Sequence, residues 1–129
     1  MGYYTNYRLE ILDKENKLLL EIKDERDIDK AIKGFIDKQD IQQDLAQLLS
    51  KIKENDNYYG ITSEEDTKWY EWEGVMKTLS KEYPNYIFCL NGVGEENGDM
   101  WKAYFHNGSS KVLRAEFRFP DFDPLTMVR

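Results

Sequence analysis

Cys89 and His106 are the sole cysteine and the sole histidine of the chain, so any thiol–imidazole chemistry rests on that one pair. They fall in successive predicted strands that could lie side by side, but a dyad needs an activated thiolate, set by a helix N-terminus or a neighbouring cation. Cys89 sits instead inside the apolar run Tyr86-Ile87-Phe88-Cys89-Leu90 and reads as a core thiol. One cysteine and one histidine also fall short of the four-ligand set of zinc. Carboxylates are the other reactive group, and Glu95, Glu96 and Asp99 crowd the turn Gly94-Glu95-Glu96-Asn97-Gly98-Asp99. Their spacing lacks the alternating ligands of an EF-hand loop. They also stand where a phosphate loop would present backbone amides, a lysine and a Ser or Thr. The sequence therefore assigns no catalytic residue, no metal and no cofactor, and the expectation is a protein that is not an enzyme.

Two binding chemistries remain. In the first, Glu64, Glu65, Asp66, Glu71, Glu73, Glu95, Glu96 and Asp99 form a negative face that engages a basic, nucleic-acid-handling protein surface, with fast and salt-sensitive association. The bland reading of the same residues is an ordinary solvated face. In the alternative, Tyr58, Tyr59 and Tyr70, with Trp69 and Trp72 close by, stack a base while Arg114 and Arg118 meet phosphate, making a nucleotide-binding module. Aromatic residues at helical spacing are more often core, which is the competing reading of that set. A further alternative is a structural or interaction protein of no assigned chemistry.

Composition bounds these options. A chain of 129 residues can bury one core without staples, and a single cysteine excludes an intramolecular disulfide and suits a reducing cytosol. The formal net charge of -7 disfavours direct nucleic-acid binding, which needs clustered Lys and Arg. Residues 1–55 carry ten basic against twelve acidic side chains, and residues 56–129 carry eight against thirteen. The acidic field belongs to the second half. Neither a leader pattern in MGYYTNYRLE nor an apolar segment of membrane-span length is present, so the expectation is a cytoplasmic protein with no membrane partner and with homo-oligomerisation left open.

The elements that must position these residues follow from periodicity. Tyr7, Leu9 and Ile11 alternate with Arg8 and Glu10, and Leu18, Leu20 and Ile22 alternate with Leu19 and Glu21, which predicts a β-hairpin over 1–23. Ile28, Ala31, Ile32, Phe35 and Ile36 share a helical face, and Ile41, Leu45, Leu48, Leu49 and Ile52 follow Asp40 as a plausible N-cap, giving a helical segment over 27–55. Tyr58-Tyr59-Gly60-Ile61 fits a short strand or a packed loop. Ser63 three residues before Asp66, then Trp69, Trp72, Met76, Leu79 and Tyr83 before Pro84, predict an aromatic helix over 63–83. A β-meander over 86–119 follows, with Asn107-Gly108 as its second turn. In its last strand Leu113, Ala115, Phe117 and Phe119 share one face, and a tail over 120–129 carries Phe122 and Leu125 as anchors to the body. The expected fold is a single α+β domain of order ββαααβββ, its mostly antiparallel sheet covered on one face by about three helices.

Over about the last half of the chain these residues also carry a resemblance. Lys68-Trp69-Tyr70-Glu71-Trp72-Glu73 with Met76, then Tyr83-Pro84 with Phe88, the turn at 94–99 with Trp101, and Tyr104-Phe105 with Asn107-Gly108 match a pattern KWYxWExxM, YPxxxF, GEExGDxW, YFxNG. That pattern resembles a set of small uncharacterised bacteriophage and prophage proteins. Gly74-Val75 replaces an acidic pair of the pattern, and Gly92-Val93-Gly94 replaces Gly-Glu-Gly. The resemblance implies a phage or mobile-element protein acting on its host, as an anti-CRISPR or other anti-defence inhibitor does. The partner would be a host protein in the bacterial cytoplasm, or an immune signalling nucleotide under the alternative.

Overall fold

The computed structural model describes residues 3–37 and 43–128, at 35–37 and 43 by backbone alone. Its elements run β1 (Thr5–Leu12), β2 (Leu18–Ile22), α1 (Glu25–Asp37), α2 (Gln43–Glu54), α3 (Tyr59–Thr62), α4 (Trp72–Glu82), β3 (Ile87–Gly94), β4 (Met100–His106) and β5 (Ser109–Arg114). The strands form one sheet of order β2-β1-β3-β4-β5, antiparallel at every pairing. This is an α+β fold with a five-stranded antiparallel sheet and four helices. The N-terminal hairpin joins the C-terminal meander through β1, which lies against β3 with Leu9 opposite Leu90.

Alternation decides which face is covered. Tyr7, Leu9 and Ile11 of β1, Phe88 and Leu90 of β3, and Trp101, Ala103 and Phe105 of β4 point to one side and are buried. The helices meet them with Ile28 of α1, Leu45, Leu48, Leu49 and Ile52 of α2, and Met76 and Leu79 of α4. These are the periodic residues of each segment. The side chains of Phe35 and Ile36, and residues Asp40 and Ile41, lie outside the described residues. Trp72 at the start of α4 stacks on Trp101 of β4, centroids 4.5 Å apart and planes 23° from parallel. Trp101 in turn lies over Gly92, where a Cβ would stand 2.2 Å from its ring.

The turns have local causes. Asp13 accepts from the amides of Glu15 and Lys17 at 2.9 Å each and Asn16 takes φ 66°, so the polar break predicted at 13–17 closes the first hairpin. Asn107 and Gly108 both have positive φ, 48° and 84°, as a two-residue type I′ turn requires. The Gly108 amide donates to the buried Ser80 Oγ at 3.0 Å, tying this hairpin to α4.

Four expectations are corrected. The aromatic helix begins at Trp72, not at residue 63. Residues 63–71 instead run as a loop along β1, where Thr5 and Thr67 exchange backbone hydrogen bonds of 2.9 and 3.0 Å. A capping-like Ser63, whose Oγ accepts from Glu65 N, and a three-residue spacing of Trp69 and Trp72 imitate a helix locally, and a long-range bridge overrides them. Tyr58-Tyr59-Gly60-Ile61 is neither strand nor loop; it runs from a 3-10 turn (Asp56–Tyr58) into the single helical turn α3. Finally, β5 stops at Arg114, although the alternating pattern runs to Phe119. With Arg114 opposite Trp101, the last ladder bond is Ala115 N to Met100 O at 2.9 Å. Residues 116–119 would face the turn at 96–99, which offers no strand. Leu113 pairs with Lys102 on the helix-free face, and Phe117, Phe119, Phe122 and Leu125 are exposed. The tail residues Phe122 and Leu125 do not anchor it to the body.

Candidate functional site

The eight predicted acids are carried by three pieces of chain: the loop 63–71, the start of α4 and the β3–β4 turn. Trp69 fixes the first. It is 1% exposed, its Cε3 would lie 2.3 Å from a Cβ on Gly60, and Tyr7 meets it edge-on at 5.3 Å. Its carbonyl accepts from Tyr7 Oη at 3.2 Å, while its indole nitrogen has no acceptor among the described residues. Shape, more than polar bonding, holds the ring. Truncating a buried tryptophan costs about 3–5 kcal/mol, so this packing is strong enough to set the loop that bears Asp66, Tyr70 and Glu71.

The β3–β4 turn is held by the N-terminal arm, a contact across 96 residues of sequence. Tyr3 Oη donates to Asp99 Oδ2 at 2.7 Å and accepts from Glu96 N at 2.9 Å. Tyr4 N donates to Glu95 Oε1 at 3.0 Å, and Tyr3 N to Tyr70 Oη at 3.1 Å. The bond to the Asp99 carboxylate raises the Tyr3 phenol above its ordinary pKa, since ionising it would set two anions together. Asn6 Nδ2 reaches Asp66 Oδ1 at 3.2 Å. The arm thus connects Asp66 and Tyr70 on one side with Glu95, Glu96 and Asp99 on the other. Gly94 leaves the room: a Cβ there would stand 2.1 Å from Asp99 Oδ2 and 2.4 Å from Tyr3 Oη.

The structure therefore brings Asp66, Glu95, Glu96 and Asp99 onto one edge, with Glu71 beside Tyr59, whose phenol burial and then the Glu71 charge push to a higher pKa. Two predicted acids are otherwise engaged: Glu64 pairs with Arg26 of α1 at 3.4 Å, and Glu73 pairs with Lys77 one turn along α4 at 3.3 Å. Asp99 has Arg114 at 3.8 Å. Among the described residues no lysine or arginine lies within 4.0 Å of the carboxylates of Glu65, Asp66, Glu71, Glu95 or Glu96. Tyr4 and Tyr70 are exposed on the same edge, and Lys68 Nζ sits 4.7 Å above the Tyr4 ring. Sequence reading missed Tyr3, Tyr4, Asn6 and Lys68. The available signal was the tyrosine pair just ahead of β1, together with a glycine at 94 where the strand pattern wants a side chain.

The nucleotide set is not assembled. Tyr58 is a core residue, 3% exposed, and burial pushes its phenol up to about 12. It borders a groove with Thr78 and Glu82, whereas Arg114 lies opposite Trp101 at the end of β5 and pairs with Asp99 at 3.8 Å. Tyr59 donates to the Lys68 carbonyl at 2.9 Å, Tyr70 contacts the N-terminal arm, and Arg118 in the exposed tail pairs with Glu116. Periodicity cannot report that Tyr58 lies in the core and Arg118 in the exposed tail.

The thiol and imidazole also have separate partners. Cys89 lies opposite Tyr104 in the β3–β4 ladder, and burial raises its pKa, which keeps it protonated. His106 Nε2 is 3.0 Å from the Pro84 carbonyl. Among the described residues no three His, Cys, Asp or Glu side chains form a group that could hold a metal ion, and no helix is long and apolar enough to cross a membrane. Comparison of the chain with protein-family models, with curated proteins and with solved structures found no match.

Proposed function

We propose that this chain is a non-enzymatic binding protein that engages a basic, nucleic-acid-handling protein through the edge formed by its N-terminal arm, the 63–71 loop and the β3–β4 turn. In biological terms the proposal is a phage or mobile-element inhibitor of a bacterial defence system, working in the host cytoplasm. The anti-defence part rests on the sequence resemblance alone. The observation that carries the binding part is the fixing of the acidic turn by Tyr3 and Tyr4, with no lysine or arginine among the described residues paired to the carboxylates of Asp66, Glu71, Glu95 and Glu96. A flexible acidic turn loses conformational entropy when it docks; one already bonded to the arm loses less, which favours recognition. Exposed Tyr4 and Tyr70 add rigid contact area with few rotors to fix. The opposing basic surface would lose its repulsion from neighbouring cations on contact, so the charge contribution should appear mainly in the association rate.

The test is capture from bacterial lysate by the wild-type chain and by the triple variant Glu95→Gln, Glu96→Gln, Asp99→Asn. Amides keep the size and the acceptor oxygens for Tyr3 and Tyr4 while removing three charges. The expected result is a basic partner retained by the wild type and depleted with the variant. Equal retention by both proteins would remove the acidic edge from the account.

A further inference from the structure

β5 is an edge strand whose outer side is unpaired. The sheet order ends at β5, and ladder bonds alternate along an antiparallel pair. Ala115 N donates to Met100 O at 2.9 Å, and Leu113 and Lys111 lie opposite Lys102 and Tyr104. The backbone groups of Lys111, Leu113 and Ala115 therefore turn to β4. Those of Ser110, Val112 and Arg114 turn outward, and no strand among the described residues receives them. Such a row of free N–H and C=O groups is a template for another strand. Every residue of β5 is exposed.

The strand pattern also outruns the sheet. Leu113, Ala115, Phe117 and Phe119 alternate with Arg114, Glu116 and Arg118, yet bonding to β4 ends at Ala115. Past that point the chain keeps its course. Phe117 lies against Gly98, where a Cβ would stand 3.1 Å from its ring, and continuing the register from Arg114 opposite Trp101 puts residue 117 opposite residue 98. Arg118 donates to Glu116 at 3.0 Å, across the two-residue spacing that shares a face in extended chain. Leu113, Phe117 and Phe119 are 45%, 69% and 96% exposed.

The run Leu113-Arg114-Ala115-Glu116-Phe117 is complementary to itself read in reverse. We propose that it pairs antiparallel with the same run of a second copy about a twofold axis at Ala115, joining two five-stranded sheets edge to edge. Arg114 of each copy then faces Glu116 of the other, and Leu113 lies against Phe117, so opposite charges and apolar side chains meet twice each. Arg114 and Glu116 both turn their backbone groups outward, so each facing pair exchanges N–H···O=C bonds. Moving the axis by one residue either way sets Arg114 against Arg114 or Glu116 against Glu116, which like-charge repulsion disfavours. Beyond the run, the stems of Lys111 and Arg118 lie over Phe119 and Val112, and Pro120, which has no N–H, ends the pairing. The bonds these side chains make within one copy leave room for this. Arg118 pairs with Glu116 on an exposed surface, Arg114 has Asp99 at 3.8 Å, and a carboxylate accepts from more than one donor.

Sedimentation equilibrium of the full chain at about 100 μM should give twice the monomer mass, falling toward monomer on dilution as mass action requires. Arg114→Glu and Glu116→Arg, each at an exposed side chain, should each raise the dimer dissociation constant about tenfold or more, because two attractive pairs become two repulsive ones. Mixed in equal amounts, the two variants should form a heterodimer near the wild-type constant, since each introduced charge then meets its opposite. That recovery separates lost pairing from lost folding. A monomeric wild type at that concentration overturns the proposal, including one whose β5 edge takes a strand from a different protein. So does a dimer indifferent to both charge reversals, or a mixture with no preference for the heterodimer.

Discussion

Gly60 and Gly74 are both helical glycines, and the same substitution at each should move stability in opposite directions. At Gly60 the new methyl would enter the Trp69 indole, with Cε3 at 2.3 Å, Cδ2 at 2.5 Å and Cγ at 2.8 Å. The ring has little room to yield, being held by Tyr7 at 5.3 Å and Tyr59 at 6.2 Å. Gly60 is not among the positive-φ glycines, so alanine meets no backbone penalty and the contact is isolated. Overpacking of this kind costs about 1–3 kcal/mol, against a helix-propensity gain below about 1 kcal/mol in a single turn. The net loss is about 1–2 kcal/mol, or roughly 5 °C in Tm for a chain of this size. At Gly74, in the first turns of α4, a Cβ meets nothing within 4 Å, so Gly74→Ala should gain about 0.5–1 kcal/mol. Urea unfolding followed by tryptophan fluorescence measures both. Gly60→Ala as stable as the wild type would show that Trp69 does not rest on residue 60, and would loosen the loop on which Asp66, Tyr70 and Glu71 depend.

Further outcomes follow from buried polar groups. Tyr58, raised to about 12 by burial, and Tyr7 and Tyr86, also raised by burial, stay neutral in the folded chain while free phenols ionise near pH 10. Their folded pKa lies above the unfolded one, so their contribution is complete below pH 10 and is lost as pH rises through the folded values. Stability should fall between pH 10 and about 12, with a shallower slope for Tyr58→Phe measured by urea unfolding across that range. Cys89, buried and with a raised pKa, should resist a thiol reagent in the native state and react on unfolding; rapid native labelling would contradict its placement. Ser80, fully buried, donates to Lys77 O at 2.8 Å and accepts from Gly108 N at 3.0 Å. Ser80→Ala leaves that amide without its acceptor and should cost about 1–2 kcal/mol in the same unfolding assay.

Elements whose partners are adjacent in sequence were readable directly. The first hairpin shows in the alternation of Tyr7, Leu9 and Ile11 and in the Asp13 turn; the last shows in Asn107-Gly108. Trp69 marks the limit. Its burial was legible from its type, but its spacing from Trp72 suggested a shared helix, because the bridge from Thr67 to Thr5 and the slot over Gly60 leave no local trace. The tail fails for a related reason. Phe117 and Phe119 continue a strand pattern, and only the register of β5 on β4 reveals that no strand remains to receive them. At the candidate site, the acids of the β3–β4 turn were visible as charge, while the arm that holds them, Tyr3 and Tyr4, lies some 91–96 residues away and carries no pattern linking it to the turn. Trp69, Tyr58 and Tyr86 belong to the core and Trp72 packs against it, while Tyr4 and Tyr70 are the exposed aromatic residues joined to the arm and its edge.

The central claim, recognition of a basic partner by a pre-fixed acidic edge, is tested most directly by the association rate with the captured partner as ionic strength is varied. Electrostatic steering speeds association by about 10–1,000-fold and falls steeply as salt shortens the screening length. The account predicts a steep decline with salt for the wild-type chain and a slower rate with a shallower salt dependence for the variant carrying Glu95→Gln, Glu96→Gln and Asp99→Asn, which keeps Asp66 and Glu71. Equal rates and equal salt dependence for the two proteins would contradict it.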